Sequence, residues 1–546
     1  LKRFWLKFAL KRSVNLHALV LTAPPMFCSC WGACLEGLEE STDGFSYVGK
    51  AAYEKLRSKH AQSWREDWSL SSGRVVGRVQ DTPQNTWADP KDPPEGHSDW
   101  FPQKMAEVMG KTQSWCDVSS LSPPDGLFME CMKTAMKTIN ATAKQKGGDP
   151  ITIRMIFGTF TSEMPESILR TDCHAVLKEL VQGIEEDDGC NLQVWVGTWR
   201  TGTSWNHSKI IAVDGKHLYQ GGHNMWTTHY LQGNPVHDLS MQAEGQCAHD
   251  AHVFLNKQWD FIKSKESSIL GRIIECFPDW MPMATWSHVA VSSFPANGET
   301  ETFPPQYDKG RYSWNGDRKH LPMITLGRSG HISHSLCTDK YAAPEDAFTA
   351  MFDAAKQVIR VAQQDIGPVS IDKIPVVGTW PANYLDAFGR ALKRGVQIEI
   401  VLTTSGSKPG TEPHQDYGNG WDCADVASEI IRFVKDKVSD AAELERIMKN
   451  QVRLTYMRQA HKNAWQDGRT MAFHTKHFIV DDIAYYIGSQ NFYACDLAEW
   501  GIVIDDANQT KKVIDEYWNP LWANSYQEGQ DYNIDDLLEE DLTASE

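Results

Sequence analysis

The stretch FHTKHFIVDDIAYYIGSQN, residues 473–491, decides how this chain is read. It sets His474 and Lys476 two residues apart, then Asp481, then Gly488-Ser489-Gln490-Asn491 after a short apolar run. In a strand, residues i and i+2 share a face, so His474 and Lys476 project together while Thr475 faces away. HFIV carries the strand into a core, Asp481-Asp482 turns the chain, and AYYIGS returns toward the His and Lys. A second copy lies upstream. NHSKIIAVDGKHLYQGGHN, residues 206–224, aligns with the first stretch without a gap. His207, Lys209 and Asp214 fall on His474, Lys476 and Asp481, and Gly221-Gly222-His223-Asn224 falls on Gly488-Ser489-Gln490-Asn491. A lone strand histidine is more often structural, and a lone strand-end lysine snorkels to water. Duplication at identical offsets overrides both readings.

Two imidazoles, two ammonium groups and two amides converging across a pseudo-two-fold axis describe a phosphate site with a nucleophile and a general acid/base. The expected phosphate-holding residues are Lys209, Lys476, Asn224 and Asn491. Small residues at Gly222 and Ser489 let the backbone and the asparagine side chain approach a ligand. Asp214 precedes Gly215, a hairpin signal, so Asp214 and Asp481 read as turn residues rather than catalysts. A catalytic histidine needs an orienting carboxylate. PVHDLSM places Asp238 downstream of His207, and LAEWGIVID places Glu499 downstream of His474. Each is expected to orient the histidine of its own motif.

The surrounding chain repeats as well. Apolar residues at helical spacing over 127–139, a strand at 151–158, a helix around 173–186 and a strand at 191–197 precede the first motif. A helix from Pro344, a strand at 357–365, a helix closed by Gly395, and strands in VQIEIVLTT and VRLTYM precede the second. Alternating strands and helices predict an α/β sheet covered on both faces. The expected segments are a basic, apolar leader (1–34), an irregular N-terminal region (35–95), a first repeat (96–290), a linker (291–330), a second repeat (331–530) and a mobile acidic tail (531–546). Residues 405–450 read as an insertion with no counterpart in the first repeat.

Composition narrows the function. The chain has 546 residues, 41% hydrophobic and 23% charged, as in globular proteins. Its net charge of −17 argues against a nucleic-acid partner, which needs a basic field. None of the 12 cysteines forms a C-x-x-C pair, and no metal site is expected. Asn140 and Asn508 head glycosylation sequons. The first residue is Leu, which reads as a fragment or a processed chain. The basic residues before VNLHALVLTAPPMFCSC resemble a secretory signal, so the expected location is extracellular, or else soluble and peripheral to membranes.

The paired motifs, with PVHDLSM, RVAQQD and CDVSSLSPPDGLF, resemble the phospholipase D superfamily, and most closely its secreted actinomycete-type phospholipases. The likeness covers about residues 95–525. It implies a duplicated α/β/α sandwich with the active site between two pseudo-symmetric repeats. It implies that His207 attacks phosphorus, that His474 serves the leaving alcohol and then water, and that no cofactor is used. The implied substrate is a phosphatidylcholine-like lipid at a membrane or micelle surface, with water or an alcohol as acceptor and a monomeric enzyme. Trp199, Trp205, Trp226 and Trp421 would rim the cleft, although packing is the commoner role of tryptophan. A nuclease, a phosphatidyltransferase and an inactive lipid-binding module are the alternatives; the two intact motifs disfavour the last.

Overall fold

The computed structural model describes residues 42–84, 86–87, 97–158, 173–184, 190–201, 204–231, 235–266, 289–291, 301–310, 320–329, 342–367, 370–371, 374–375, 382–408, 417–465, 468–493 and 497–543. The expected leader at 1–34 lies outside them. Sixteen strands form one sheet. The first half of the chain supplies β1 (Trp68–Val75), β2 (Gln80–Thr82), β3 (Trp115–Ser120), β4 (Ile151–Phe157), β5 (Leu192–Thr198), β6 (Ile210–Val213), β7 (His217–Gly221), β8 (Asp238–Gly245) and β9 (Val289–Val291). The second supplies β10 (Leu321–Ser329), β11 (Val358–Gln363), β12 (Gln397–Leu402), β13 (Val452–Tyr456), β14 (Lys476–Val480), β15 (Ala484–Gly488) and β16 (Ala498–Asp505).

Their order across the sheet is β9-β5-β4-β3-β6-β7-β8-β1-β10-β16-β15-β14-β11-β12-β13, with β2 on β8. From the middle outward the two directions match strand for strand. β1 answers β10, β8 answers β16, and the motif hairpins β6-β7 and β14-β15 come next. Three parallel strands follow on each side, and in the first half β9 lies beyond them, antiparallel to β5. The seam is the antiparallel pair of β1 with β10, where Trp68 faces Leu326 and Leu70 faces Ile324. This is a duplicated α/β fold.

Helices cover both faces, and three apolar cores result. On the first half, α2 (His97–Met109), α3 (Gly126–Lys146) and α4 (Cys173–Leu180) pack Phe101, Met132, Met136 and Leu177 on β3–β5. On the second, α6 (Ala343–Ala354), α7 (Asn383–Lys393), α8 (Cys423–Lys435) and α9 (Ala441–Gln451) pack Phe348, Phe388, Ile430 and Ile447 on β11–β13. A third core lies on the opposite face beneath both halves. There Phe254 and Trp259 of α5 (Gln246–Glu266) join Val513 of α10 (Ala507–Val513), Tyr517, Trp518 and Leu521 of α11 (Asn519–Ser525). Because that core contains Leu218 and Tyr485 alike, it ties the two hairpins to one support.

Several expected boundaries differ from the structure. The region 35–95 is not irregular. It carries α1 (Tyr47–Lys59), capped by Ser46, and then β1, a central strand. WSLSSGRV alternates Trp68 and Leu70 with serines, and those serines are buried because both faces of the sheet are covered. The expected linker at 291–330 contains β10, the other central strand. Residues 405–450 are not an unmatched insertion. Their helices α8 and α9 cross from β12 to β13, as α4 crosses from β4 to β5. The acidic tail ends in α12 (Ile534–Thr543), and buried Asp531 pairs with Arg458. Asn140 is buried on α3, accepts the Asn191 amide, and is closed to a glycan.

Trp68 tests the central place of β1. Its indole is 2% exposed, meets Tyr53 edge-on, and donates to the His60 carbonyl at 2.7 Å. Trp68→Ala is expected to lower stability by about 3–5 kcal/mol, read from the urea midpoint. A loss below about 1 kcal/mol would contradict this placement.

Candidate active site

Each motif begins just before its strand, where the chain crosses to the other half. The His207 amide donates to the Ala498 carbonyl at 2.8 Å, and the His474 amide donates to the His237 carbonyl at 2.8 Å. Each motif histidine therefore lies next to the carboxylate strand of the opposite repeat. Glu499 binds His207 Nδ1, at 3.0 Å through Oε1 and 2.9 Å through Oε2. Asp238 Oδ2 binds His474 Nδ1 at 2.6 Å. The expected pairing of Asp238 with His207 and of Glu499 with His474 is wrong. The partners are exchanged, because β8 and β16 both approach the seam and each delivers its carboxylate across it.

The two imidazole rings lie 6.4 Å apart between centroids, at 73°. With Nδ1 held by a carboxylate, Nε2 of each ring is the nitrogen left for a ligand. Lys209 and Lys476 fold back so that each ammonium donates to the carbonyl of its own motif histidine, Lys209 at 2.5 Å to His207. Lys476 also donates to Gln364 Oε1 at 3.3 Å. Asn224 and Asn491 are buried, and neither atom of either side-chain amide has a hydrogen-bond partner. Buried polar groups in native proteins are nearly all satisfied. Two fully unsatisfied amides at matched positions are the mark of a place completed by a ligand.

The supporting residues break the symmetry. A Cβ on Gly222 would fall 2.1 Å from Asp238 Oδ1, so only glycine leaves room for that carboxylate. At the matching place Ser489 donates its hydroxyl to Glu499. Asp238 receives its extra donor from Tyr230 instead, at 2.9 Å, and the Tyr230 hydroxyl in turn accepts the backbone N–H of Asn224 at 3.2 Å. Nothing in the motif spacing signals Tyr230. Its neighbour His229 binds the Tyr417 hydroxyl at 3.2 Å, and the Tyr417 ring meets His474 edge-on.

Asp214 and Asp481 lie at the far ends of the motif strands. Both adopt positive φ (53° and 54°), as do the following Gly215 and Asp482, the backbone of a two-residue hairpin turn. They do more than turn the chain. Asp214 accepts the amides of Gln113, Ser114 and Trp115, and Asp481 accepts those of Lys356, Gln357 and Val358. Each carboxylate thus fixes the start of the neighbouring strand, β3 or β11. Of the tryptophans expected at the cleft, Trp199 is fully buried in the shared core. Trp226 is buried against His229 and donates to Ser122, while Trp205 and Trp421 are half-buried.

Burial dominates the electrostatics. It holds the His207 imidazolium down to about 4, although Glu499 pulls the other way. It lowers Lys209 to about 7 against the raising effects of Glu499 and Asp238. His474 and Lys476 are also held well below their ordinary values, first by burial and then by the neighbouring cations. Burial therefore disfavours the charged forms of these four groups, and an arriving anion would favour them. Among the described residues, no group of His, Cys, Asp or Glu is arranged to hold a metal ion.

No family model matches the chain. A curated phospholipase D of Streptomyces antibioticus is 24% identical over 446 residues, spanning 78% of this chain and 76% of that protein. That match supports a place for the chain in the phospholipase D superfamily. Among solved structures, the phosphatidylserine synthase of Haemophilus influenzae aligns with a TM-score of 0.49 at 12% identity, covering 91% of this chain and 97% of that one. The polyphosphate kinase of Porphyromonas gingivalis aligns at 0.37 and 9% identity, over 86% and 55%.

The buried histidines set the acid stability of the chain. His207 and His477 are lowered to about 4, and His223, His229 and His237 to about 3, each chiefly by burial. Between the ordinary histidine value and about 4 the unfolded chain binds these protons and the folded chain does not, so stability is lost as pH falls. Asp365 and Asp505, raised to about 6 by burial, act in the opposite sense but are fewer. The thermal midpoint is expected to drop steadily from pH 6.5 to 4.5. A midpoint that is flat or rises over that range would contradict burial of the neutral imidazoles.

Proposed function

We propose that this protein is a phospholipase D, cleaving the head-group side of the phosphodiester in phosphatidylcholine-like glycerophospholipids at a membrane or micelle surface. The observation that carries the proposal is the crossed pair of carboxylate-held histidines, with two lysines and two unsatisfied asparagine amides around them. The 24% identity to a phospholipase D supports the choice of lipid over other diesters.

In the proposed reaction His207 Nε2 attacks phosphorus, and the P–O bond to the head group breaks. Its electron pair leaves with the alcohol oxygen, which takes a proton from His474 Nε2. Lys209, Lys476, Asn224 and Asn491 hold the non-bridging oxygens as charge builds on them. The product is a phosphohistidine and a free alcohol. His474, now neutral, removes a proton from water. The oxygen attacks phosphorus, the P–N bond breaks, and phosphatidate leaves. An alcohol in place of water would give the transferred lipid. Glu499 keeps Nδ1 of His207 protonated and balances the cation that forms on it, and Asp238 does the same for His474. His474 must be protonated at the first step, and the negative phosphodiester favours that state. The nucleophile is assigned to His207 by the resemblance of its motif.

Phosphatidylcholine incubated with the enzyme in EDTA is expected to release choline, and to yield phosphatidylethanol when ethanol is added. His207→Ala is expected to lower kcat by at least about 10³-fold and to leave no alkali-stable, acid-labile phosphoenzyme. Phosphohistidine on the His207→Ala protein would reverse the roles of the histidines. Cleavage of single-stranded DNA with no lipid turnover would replace the lipid reading with a nuclease.

A further inference from the structure

The catalytic groups are nearly two-fold symmetric, but a phospholipid diester is not. Something must tell its two substituents apart, and the halves differ most where the strands flanking the motifs end. β11 runs out through Gln363-Gln364-Asp365, whereas β3 runs out through Ser120-Leu121-Ser122. The register makes these segments equivalent. Gln363 lies directly opposite Lys476, and Ser119 lies opposite Ile210, which sets Ser120 beside Lys209. Directly opposed residues of an antiparallel pair share a face, so Gln363 stands on the Lys476 side of the sheet.

The second half has hydrogen-bond capacity that the protein does not use. Gln363 is fully buried, and neither its amide oxygen nor its amide nitrogen has a partner. Asp365 is 3% exposed; Oδ1 accepts the Gly420 amide at 3.1 Å, and Oδ2 has no hydrogen-bond partner. Asp365 and Lys476 each feel the other's charge. In the first half the Ser122 hydroxyl, matching Asp365, is occupied by the Trp226 indole at 2.8 Å, and the Ser120 hydroxyl, matching Gln363, is a single unpartnered group where Gln363 has two. Lys476, directly opposite Gln363, donates to the His474 carbonyl, so the register links Gln363 to the His474 half of the site through Lys476.

We propose that Gln363 and Asp365 form a polar subsite that receives a hydroxyl or primary ammonium group of the departing head group. The inference rests on the proposed phospholipase D reaction, in which His474 protonates that alcohol. Asp365 offers an acceptor, and Gln363 offers both an acceptor and a donor. A glycerol or ethanolamine head group can complete these bonds. The trimethylammonium of choline has no N–H or O–H and leaves them unmade, and a site built to hydrogen-bond a substrate group discriminates strongly against an analogue without one. Burial pushes the Asp365 carboxyl up to about 6, with the Gly420 amide, Lys476, the Gln364 side chain and the Asn419 amide pulling it back toward the anionic, accepting form.

The test compares phosphatidylglycerol, phosphatidylethanolamine and phosphatidylcholine of identical acyl chains in mixed detergent micelles. It uses the wild type, Asp365→Asn and Gln363→Met, with thermal melts to verify folding. The readout is the ratio of kcat/KM for phosphatidylglycerol, and for phosphatidylethanolamine, over phosphatidylcholine. Any effect transmitted through Lys476 falls on all three lipids and cancels in that ratio. The wild type is expected to favour the donor-bearing lipids, and each variant to reduce that preference about tenfold or more. Equal losses on all lipids would overturn the subsite. A larger loss on phosphatidylcholine would also overturn it, since Asp365 would then act as a counter-charge to choline. If Asp365→Asn does not fold, the ratio measured with Gln363→Met decides. A wild type that turns over none of the lipids would remove the proposed function itself, and this inference with it.

Discussion

Two lysines and two histidines are buried at one place in this chain, and such groups can take up charge there only where a counter-charge stands beside them. The counter-charges are Asp238 and Glu499, and each comes from the repeat opposite to the histidine it holds. Neither half-site is complete alone. His207 without β16 would lose its carboxylate, and His474 without β8 would lose its own. The seam between β1 and β10 and the shared core under α5 and α11 are what keep the exchange in register. The site is therefore a property of the whole sheet rather than of either repeat.

That exchange also explains the small residues around it. Gly222 is held to glycine by Asp238, and Ser489 serves Glu499 as a donor. The aspartates of the two motifs belong to a separate task at the far ends of the strands. They clamp the starts of β3 and β11, the strands that flank the motif hairpins. Chemistry sits at one end of each hairpin and fold support at the other. A symmetric pair of histidines can pass a phosphoryl group from an alcohol to water, and the unequal segments Ser120–Ser122 and Gln363–Asp365 give that symmetric centre a direction.

The motif hairpins were legible in the sequence because a strand has a period of two and a matched repeat removes chance. Turn chemistry was legible at Asp214-Gly215 for the same local reason. What could not be read was decided by tertiary pairing. Asp238 and Glu499 were recognisable as carboxylates near a motif, but their partners depend on which loop meets which strand across the seam. β1 and β10 were hidden because WSLSSGRV has three serines in eight residues and LPMITLGRS follows a polar stretch. Their burial comes from neighbours distant in the chain. Tyr230 and Gln363 carry no spacing signal, and only the bonds they make or leave unmade identify them.

The crossed pairing is the centre of this account, and histidine NMR tests it directly. With ¹⁵N-labelled imidazoles, and the two resonances assigned from His207→Gln and His474→Gln, the response to each carboxylate variant can be followed. Glu499→Gln is expected to shift the Nδ1 resonance of His207 and leave that of His474 nearly in place, and Asp238→Asn is expected to do the reverse. A shift of His474 by Glu499→Gln, with His207 unmoved, would mean that each repeat orients its own histidine and would contradict the account.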